Sequence, residues 1–380
     1  MNKTKSIPKK TKSKTKSIPK SKPKKTKLLS KPKSKSLKES LPESLPESKQ
    51  IEKKLVIKKY SHKKYKNSHD KKYSSHKKDI KYDNIFFMNI RPECSMKIQF
   101  FPDIIETAPY TTKVAQFFLK NRKHYGQRKL CVIELYFMAE YSNLSNLIVY
   151  VGSAPCSHLS IILDFFPKHI FHLYDSRDFD INKKYIDSGQ VVIYQKYFTD
   201  IECEMYKNKN ILFISDIRGE DPNNETQIIS DQTMQKNWIL TMKPIKSMLK
   251  FKCLYGHQEE CSRQLKETNS CKMEYLYGKL LLQPWAPLTS TETRLIVDQY
   301  PKMKMYDCID YEDKFAYHNN YTREVLIDMK GKQVSWDSQQ ECAIIRLFKM
   351  KNPKYIHEDV FKILNKYTYG NNNKYMTGVI

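Results

Sequence analysis

Three short apolar runs in this 380-residue chain each end in a residue that can do chemistry. "LIVYVG" closes on Gly152, "HIFHLYD" on Asp175 and "NILFISD" on Asp216. Glycine lets backbone approach a ligand closely. An acid at the end of the second run can accept from the hydroxyls of a ribose. A pyrophosphate cradle needs a G-x-G-x-x-G run, and here the corner reads Gly152-Ser153-Ala154-Pro155-Cys156. The set therefore suits an adenosine ligand without phosphates, a description that S-adenosylmethionine meets. The plainer alternative, a corner that only turns the chain, uses the same residues.

Such residues converge only if the runs are strands sharing one edge. Residues 147–152, 169–175, 190–195, 210–216 and 247–255 read as strands, and 274–285 as further strand. Residues 112–120, 129–141, 157–166 and 226–243 read as helices, with Leu130, Ile133, Leu135, Phe137 and Met138 giving one of them a broad apolar face. Strands separated by helix-length connections imply an α/β fold with a mostly parallel, doubly wound sheet. Ligands of such sheets bind beyond the carboxyl ends of the strands, at the point where strand order reverses.

The charge is unevenly placed. Residues 1–82 hold 29 of the 68 Lys+Arg and 6 of the 41 Asp+Glu, so they carry most of the net +27. This Lys/Ser/Pro-rich stretch has too little apolar surface to offset its ordering entropy and reads as a disordered tail. It suits a solvated tail, a non-specific RNA-binding arm or a nuclear-localisation signal, and composition does not choose among them. Residues 83–380 read as one domain, close to neutral. No apolar run is long enough for a transmembrane helix, no signal peptide is expected, and no membrane association follows. Nine cysteines include no Cys-x-x-Cys pair. Cys253, His257, Cys261 and Cys271 match no common zinc spacing. No metal is expected, and the thiols are expected to be reduced.

Over residues 105–350 the chain resembles a known family. "VYVGSAPCSHL", "YDSRDFD" (174–180), "ILFISDIRG" (211–219), "SMLKFKCLY" (247–255) and "LLQPWAPLTSTETRL" (281–295) recur in the order of the poxviral cap-specific mRNA nucleoside-2′-O-methyltransferases. Those proteins double as the small, processivity-promoting subunit of the viral poly(A) polymerase. The resemblance implies a Rossmann-like, S-adenosylmethionine-dependent methyltransferase from a large DNA virus, active in the virion and the host cytoplasm. It implies capped mRNA as substrate and a polymerase catalytic subunit as a further partner. An RNA-holding subunit with or without catalysis, or a methyltransferase on uncapped RNA, stay open beside it.

By the same resemblance, Lys129, Asp216, Lys250 and Glu292 form a catalytic tetrad. A ribose hydroxyl is a poor nucleophile, so a base must share its proton as the new bond forms. Lys250 serves only when neutral, and burial beside Lys129 favours that state. The cofactor contacts carried over are Gln127, Tyr150, Gly152, Ser153, His158, Asp175 and Arg177. The cap contacts are Tyr110, Tyr255 and Glu312, with Lys252, Lys246 and Arg294 for downstream phosphates. Three departures stand out: Cys156 replaces a loop glycine, His257 an acid and Thr289 a tyrosine.

Overall fold

The computed structural model describes residues 96–110, 126–219, 224–323, 327–329 and 332–368. All fall within one compact unit, Lys77–Ile380. The basic tail, its boundary at residue 82 and the helix expected at 112–120 lie outside the described residues. Among the described residues, no helix is long and apolar enough to cross a membrane.

The chain alternates helix and strand as far as its fifth strand. α1 (Gly126–Tyr141) precedes β1 (Leu147–Val151), α2 (Leu159–Phe165), β2 (Ile170–Tyr174), α3 (Lys183–Asp187), β3 (Val191–Tyr194), α4 (Asp200–Tyr206), β4 (Leu212–Ser215), α5 (Glu225–Met242) and β5 (Lys246–Phe251). Then come α6 (Glu259–Thr268), β6 (Lys272–Leu276), β7 (Lys279–Leu281), β8 (Thr293–Asp298), β9 (Met303–Asp307) and α7 (Cys308–Tyr317). β10 (Ile327–Met329), β11 (Lys332–Val334), α8 (Trp336–Lys351) and α9 (Val360–Thr368) complete it.

Seven strands make the central sheet in the order β3-β2-β1-β4-β5-β8-β7. The first five are mutually parallel, β8 runs antiparallel to them, and β7, antiparallel to β8, runs in their direction again. Order reverses between β1 and β4, so the switch point lies between Gly152 and Asp216. Side chains on β1 alternate between two buried layers. Ile148 and Tyr150 pack in the cluster holding α1, α2 and α8, whereas Val149 and Val151 pack in the cluster holding α4 and α5. Burial on both faces explains why these strands read as continuous apolar runs. The expected α/β fold, with a mostly parallel sheet flanked by helices, is the fold observed.

Three expectations are corrected. The run 274–285 is not one strand: β6 pairs only with β9 in a separate ribbon, and β7 joins the main sheet. Gly278 separates them, because a Cβ there would sit 2.2 Å from the Ile296 carbonyl oxygen. The strand expected at 247–255 stops at Phe251, where its antiparallel partner β8 begins at Thr293. The thiols are also not all reduced: Cys261 and Cys271 form a disulfide, with Cα atoms 5.2 Å apart. The helix-then-strand return from α6 to β6 brings the two within bridging distance.

Candidate active site

Three strand ends build an ion network at the carboxyl edge of the sheet. Asp216 extends β4 by one residue, its N–H donating to the Val151 carbonyl at 2.9 Å. Lys250 is the fifth residue of β5. The antiparallel strand β8 sets Arg294 directly opposite Lys250 and brings Glu292 just before its own first residue. Lys129 enters from the first turn of α1. That turn is pinned by the buried Arg128, whose guanidinium forks onto Glu341 of α8 at 3.0 and 2.5 Å.

The Lys250 ammonium lies 3.1 Å from Asp216 and 3.5 Å from Glu292. Lys129 Nζ donates to the other oxygen of Glu292 at 3.2 Å. The four residues of the expected tetrad are thus brought together. Arg294 is a fifth member, 2.7 Å from Asp216 and 3.7 Å from Glu292. Like charges opposed across two strands repel, and here the two carboxylates stand between them. Arg218 approaches Glu292 at 3.7 Å from the side of the buried Asp231.

Burial and charge compete at each group. Burial pushes the Lys129 ammonium below its ordinary pKa, with Glu292 opposing and Arg294 and Lys250 assisting. Burial alone would raise Asp216, but the Arg294 and Lys250 cations outweigh it and hold the carboxyl at about 2. Glu292 is likewise held well below the carboxylate range: burial opposes, and Lys129, Lys250, Arg294 and Arg218 prevail. Both acids are therefore anionic at neutral pH.

The glycine corner adjoins this network. Gly152 has φ +72°, and a Cβ there would lie 2.8 Å from the Ile217 N and 2.9 Å from the Asp216 carbonyl carbon. Only glycine lets β1 turn so close to the chain leaving β4. Asp175, at the end of β2, accepts four hydrogen bonds. They come from Ala154 N, Arg177 N, Arg177 Nε and Arg177 Nη2, at 2.9 to 3.0 Å. Burial would raise its pKa, but the Arg177 bonds and the Ala154 N–H lower it. Four bonds fill the lone pairs of a carboxylate, so a ribose diol gains Asp175 only by displacing Arg177. That side chain is 67% exposed and can swing into solvent at little cost. The corner thus fits an adenosine ligand.

The remaining cofactor candidates form a buried relay. Tyr150 donates its hydroxyl to Glu134 at 2.7 Å, and the His158 ring bridges Glu134 at 2.9 Å to Gln127 at 2.7 Å. Tyr150 and His158 are both almost fully buried, so their polar atoms stiffen the floor under the corner. Ser153 turns its hydroxyl back to the Tyr150 carbonyl at 3.4 Å. Cys156 takes a positive φ of 61° where glycine would be freer, and its buried thiol is raised well above the ordinary range by burial.

The structure brings together the expected cap residues but leaves no gap between them. Tyr110 and Tyr255 lie 5.6 Å apart between ring centroids, at 31°. A base sandwiched between two rings needs them about 7 Å apart, twice the contact spacing of about 3.5 Å. His257 stacks on Tyr255 at 5.4 Å and 17°, and Lys252 Nζ lies 4.6 Å from the Tyr255 ring centre. The buried Glu312 accepts from Gly256 N at 2.7 Å, and burial raises its pKa.

Two phosphate candidates are corrected. Lys246 opens β5 at the amino edge of the sheet, paired with Asp298, far from the carboxyl edge. Arg294 is 2% exposed and faces Asp216 rather than solvent. Its role in the network had a signal in the sequence: residues two apart on a strand share a face, and Arg294 lies two beyond Glu292. Arg218 and Asp231 had none, because a loop and a helix bring them in.

Residues 94–378 match the poly(A) polymerase regulatory subunit family. The chain belongs to that family. Among curated proteins, the cap-specific mRNA (nucleoside-2′-O-)-methyltransferase of Fowlpox virus is 27% identical over 267 residues, 64% of this chain and 83% of that protein. The Myxoma virus (strain Lausanne) protein of the same name is 26% identical over 285 residues, covering 67% and 77%. A solved structure of bluetongue virus VP4, described as a multifunctional RNA-capping production line, is 10% identical with a TM-score of 0.39. It covers 63% of this chain and 35% of that one, and carries no weight for fold or function. Membership of the regulatory-subunit family, with methyltransferases as named relatives, agrees with the resemblance drawn from the five motifs.

Proposed function

We propose that this protein is a cap-specific mRNA 2′-O-methyltransferase, using S-adenosylmethionine to methylate the ribose of the first transcribed nucleotide. The observation that carries the reading is the convergence of Lys129, Asp216, Lys250 and Glu292 beside the Gly152–Asp175 corner. Bound at that corner, S-adenosylmethionine would supply a sulfonium methyl group for in-line displacement. Asp175 would hold its ribose hydroxyls and Gly152 would let its adenosine approach the strand end.

The chain's own residues then handle the proton. Lys250, held between Asp216 and Glu292, takes it from the 2′-hydroxyl as the new bond forms. Lys129 donates to the far oxygen of Glu292, and its burial lowers its pKa. Arg294 shares Asp216 with Lys250, 2.7 Å from the same carboxylate oxygen, and so competes for that anion. Holding the sugar oxygen beside the donor contributes the rest of the acceleration.

A second reading rests on the family's description as a poly(A) polymerase regulatory subunit. In it, the protein holds RNA for a polymerase catalytic subunit, with or without methyl transfer. One assay separates the readings: labelled S-adenosylmethionine with short capped and uncapped RNAs, and Lys250→Ala in parallel. Label on capped RNA alone, lost in the variant, supports the first. RNA bound without any transfer overturns it for the second, and label on uncapped RNA shows a cap-independent enzyme. A place in the virion and host cytoplasm is part of the same proposal, and immunoblotting of purified particles checks it.

A further inference from the structure

We propose that the β6–β9 ribbon, with the turn that follows β8, is a second binding surface for single-stranded RNA, beginning at the sheet edge opposite the ion network. The antiparallel register puts Asp298 beside Lys246 at the start of β5, so the chain after β8 emerges at the amino edge. Tyr300 follows there, 72% exposed, with Lys243 Nζ 5.9 Å from its ring centre. Tyr277, at the end of β6, is 56% exposed, and Lys304 Nζ lies 5.8 Å from its ring centre. Its N–H donates to the Lys302 carbonyl at 2.7 Å, which fixes Tyr277 beside the exposed Lys302. Exposed Lys279 follows one residue beyond Gly278, which presses the ribbon against the main sheet.

The chemistry is that of a polynucleotide track. Four exposed lysines, Lys243, Lys279, Lys302 and Lys304, accompany two exposed rings, and the acid at this end, Asp298, is held by Lys246. Of the ribbon's own acids, Asp307 lies at its other end and Glu274 at its middle. Bases stack on tyrosine faces without regard to sequence, while lysines meet the phosphates between them. Five paired positions span about 17 Å, enough for a short single-strand site of about four nucleotides. A cap and a methyl donor play no part in this surface, so it stands apart from the proposed reaction.

The test uses the full-length protein and an uncapped, fluorescently labelled 20-nucleotide oligoadenylate, without methyl donor. In anisotropy titrations, Tyr277→Ala combined with Tyr300→Ala is expected to weaken binding at least tenfold. Lys279→Ala combined with Lys302→Ala is expected to reduce the slope of log affinity against log salt by about 1.4, at about 0.7 per phosphate contact. Photo-cross-linking of a 4-thiouridine-substituted strand is expected at peptides containing Tyr277 or Tyr300. Methyl transfer to a short capped RNA, where present in the parent, is expected to be unchanged in both variants. Unaltered affinity and slope, or cross-links confined to residues 1–95, overturn the proposal. Both variants alter exposed side chains, and matching thermal melts show that any loss is not unfolding.

Discussion

Lys129 and Lys250, 121 positions apart in the chain, hold opposite oxygens of one carboxylate, Glu292, at 3.2 and 3.5 Å. The pair shares a single anion, so removing that anion changes both amines at once. Glu292→Gln is expected to lower methyl transfer at least 100-fold while leaving RNA affinity within about threefold. It is also expected to lower the Lys129 pKa further, since Glu292 is the main influence raising it. Single-turnover transfer rates against pH, beside anisotropy with capped RNA, check both points. Equal losses in rate and affinity would show that Glu292 serves only to hold the fold.

Asp216 gives a stability dependence on acid. Its folded pKa is about 2, below the ordinary value of 3.8. A depressed acid contributes stability that is fully present above the ordinary value and lost as pH falls through the folded one. The window is therefore pH 4 to 2, and the contribution is on the order of 2 kcal/mol. Chemical denaturation at pH 4, 3 and 2 should show a steeper decline for the parent than for Asp216→Asn. Parallel curves would mean that Arg294 and Lys250 do not hold this carboxyl.

Gly152→Ala should be costly on two counts. Its φ of +72° is unfavourable for a side chain, and the new Cβ would strike the backbone of Asp216 and Ile217. A loss of about 1–3 kcal/mol is expected, read as a lower melting temperature. Calorimetry should show S-adenosylmethionine binding weakened at least tenfold. A variant as stable as the parent would show that the corner has room to relax.

The Cys261–Cys271 bridge closes a loop of ten residues. Loop-closure entropy makes it worth about 3 kcal/mol. Replacing both cysteines with alanine, or adding a reductant, is expected to lower the melting temperature by comparable amounts, and free-thiol titration counts the bridge directly. An unchanged melt on reduction would rule out a stabilising bridge.

β1 and β4 were legible because they are buried on both faces and read as apolar runs closed by Gly152 and Asp216, and β2 because its largely apolar run closes on Asp175. Run ends were less legible. Phe251 stops β5 because β8 runs antiparallel beside it, and that pairing is not local. Gly278 divides 274–285 because of the Ile296 carbonyl, which no pattern inside the stretch reveals. Lys246 and Arg294 show the same limit. Both are basic residues on strands, yet one opens β5 at the amino edge and the other is buried against Asp216.

By itself the sequence determined the order of the first five strands, the sheet type, the glycine corner and the types of residue able to move a proton or hold a ribose. Those features follow from local pattern and from chemistry carried by single side chains. Only the tertiary structure decided which charges meet: Arg294 inside the network, Arg177 occupying Asp175, Tyr110 against Tyr255. Electrostatic contact falls off within a few ångströms, and distances of that size are set by long-range strand pairing and helix packing, which leave no trace in the spacing of residues along the chain.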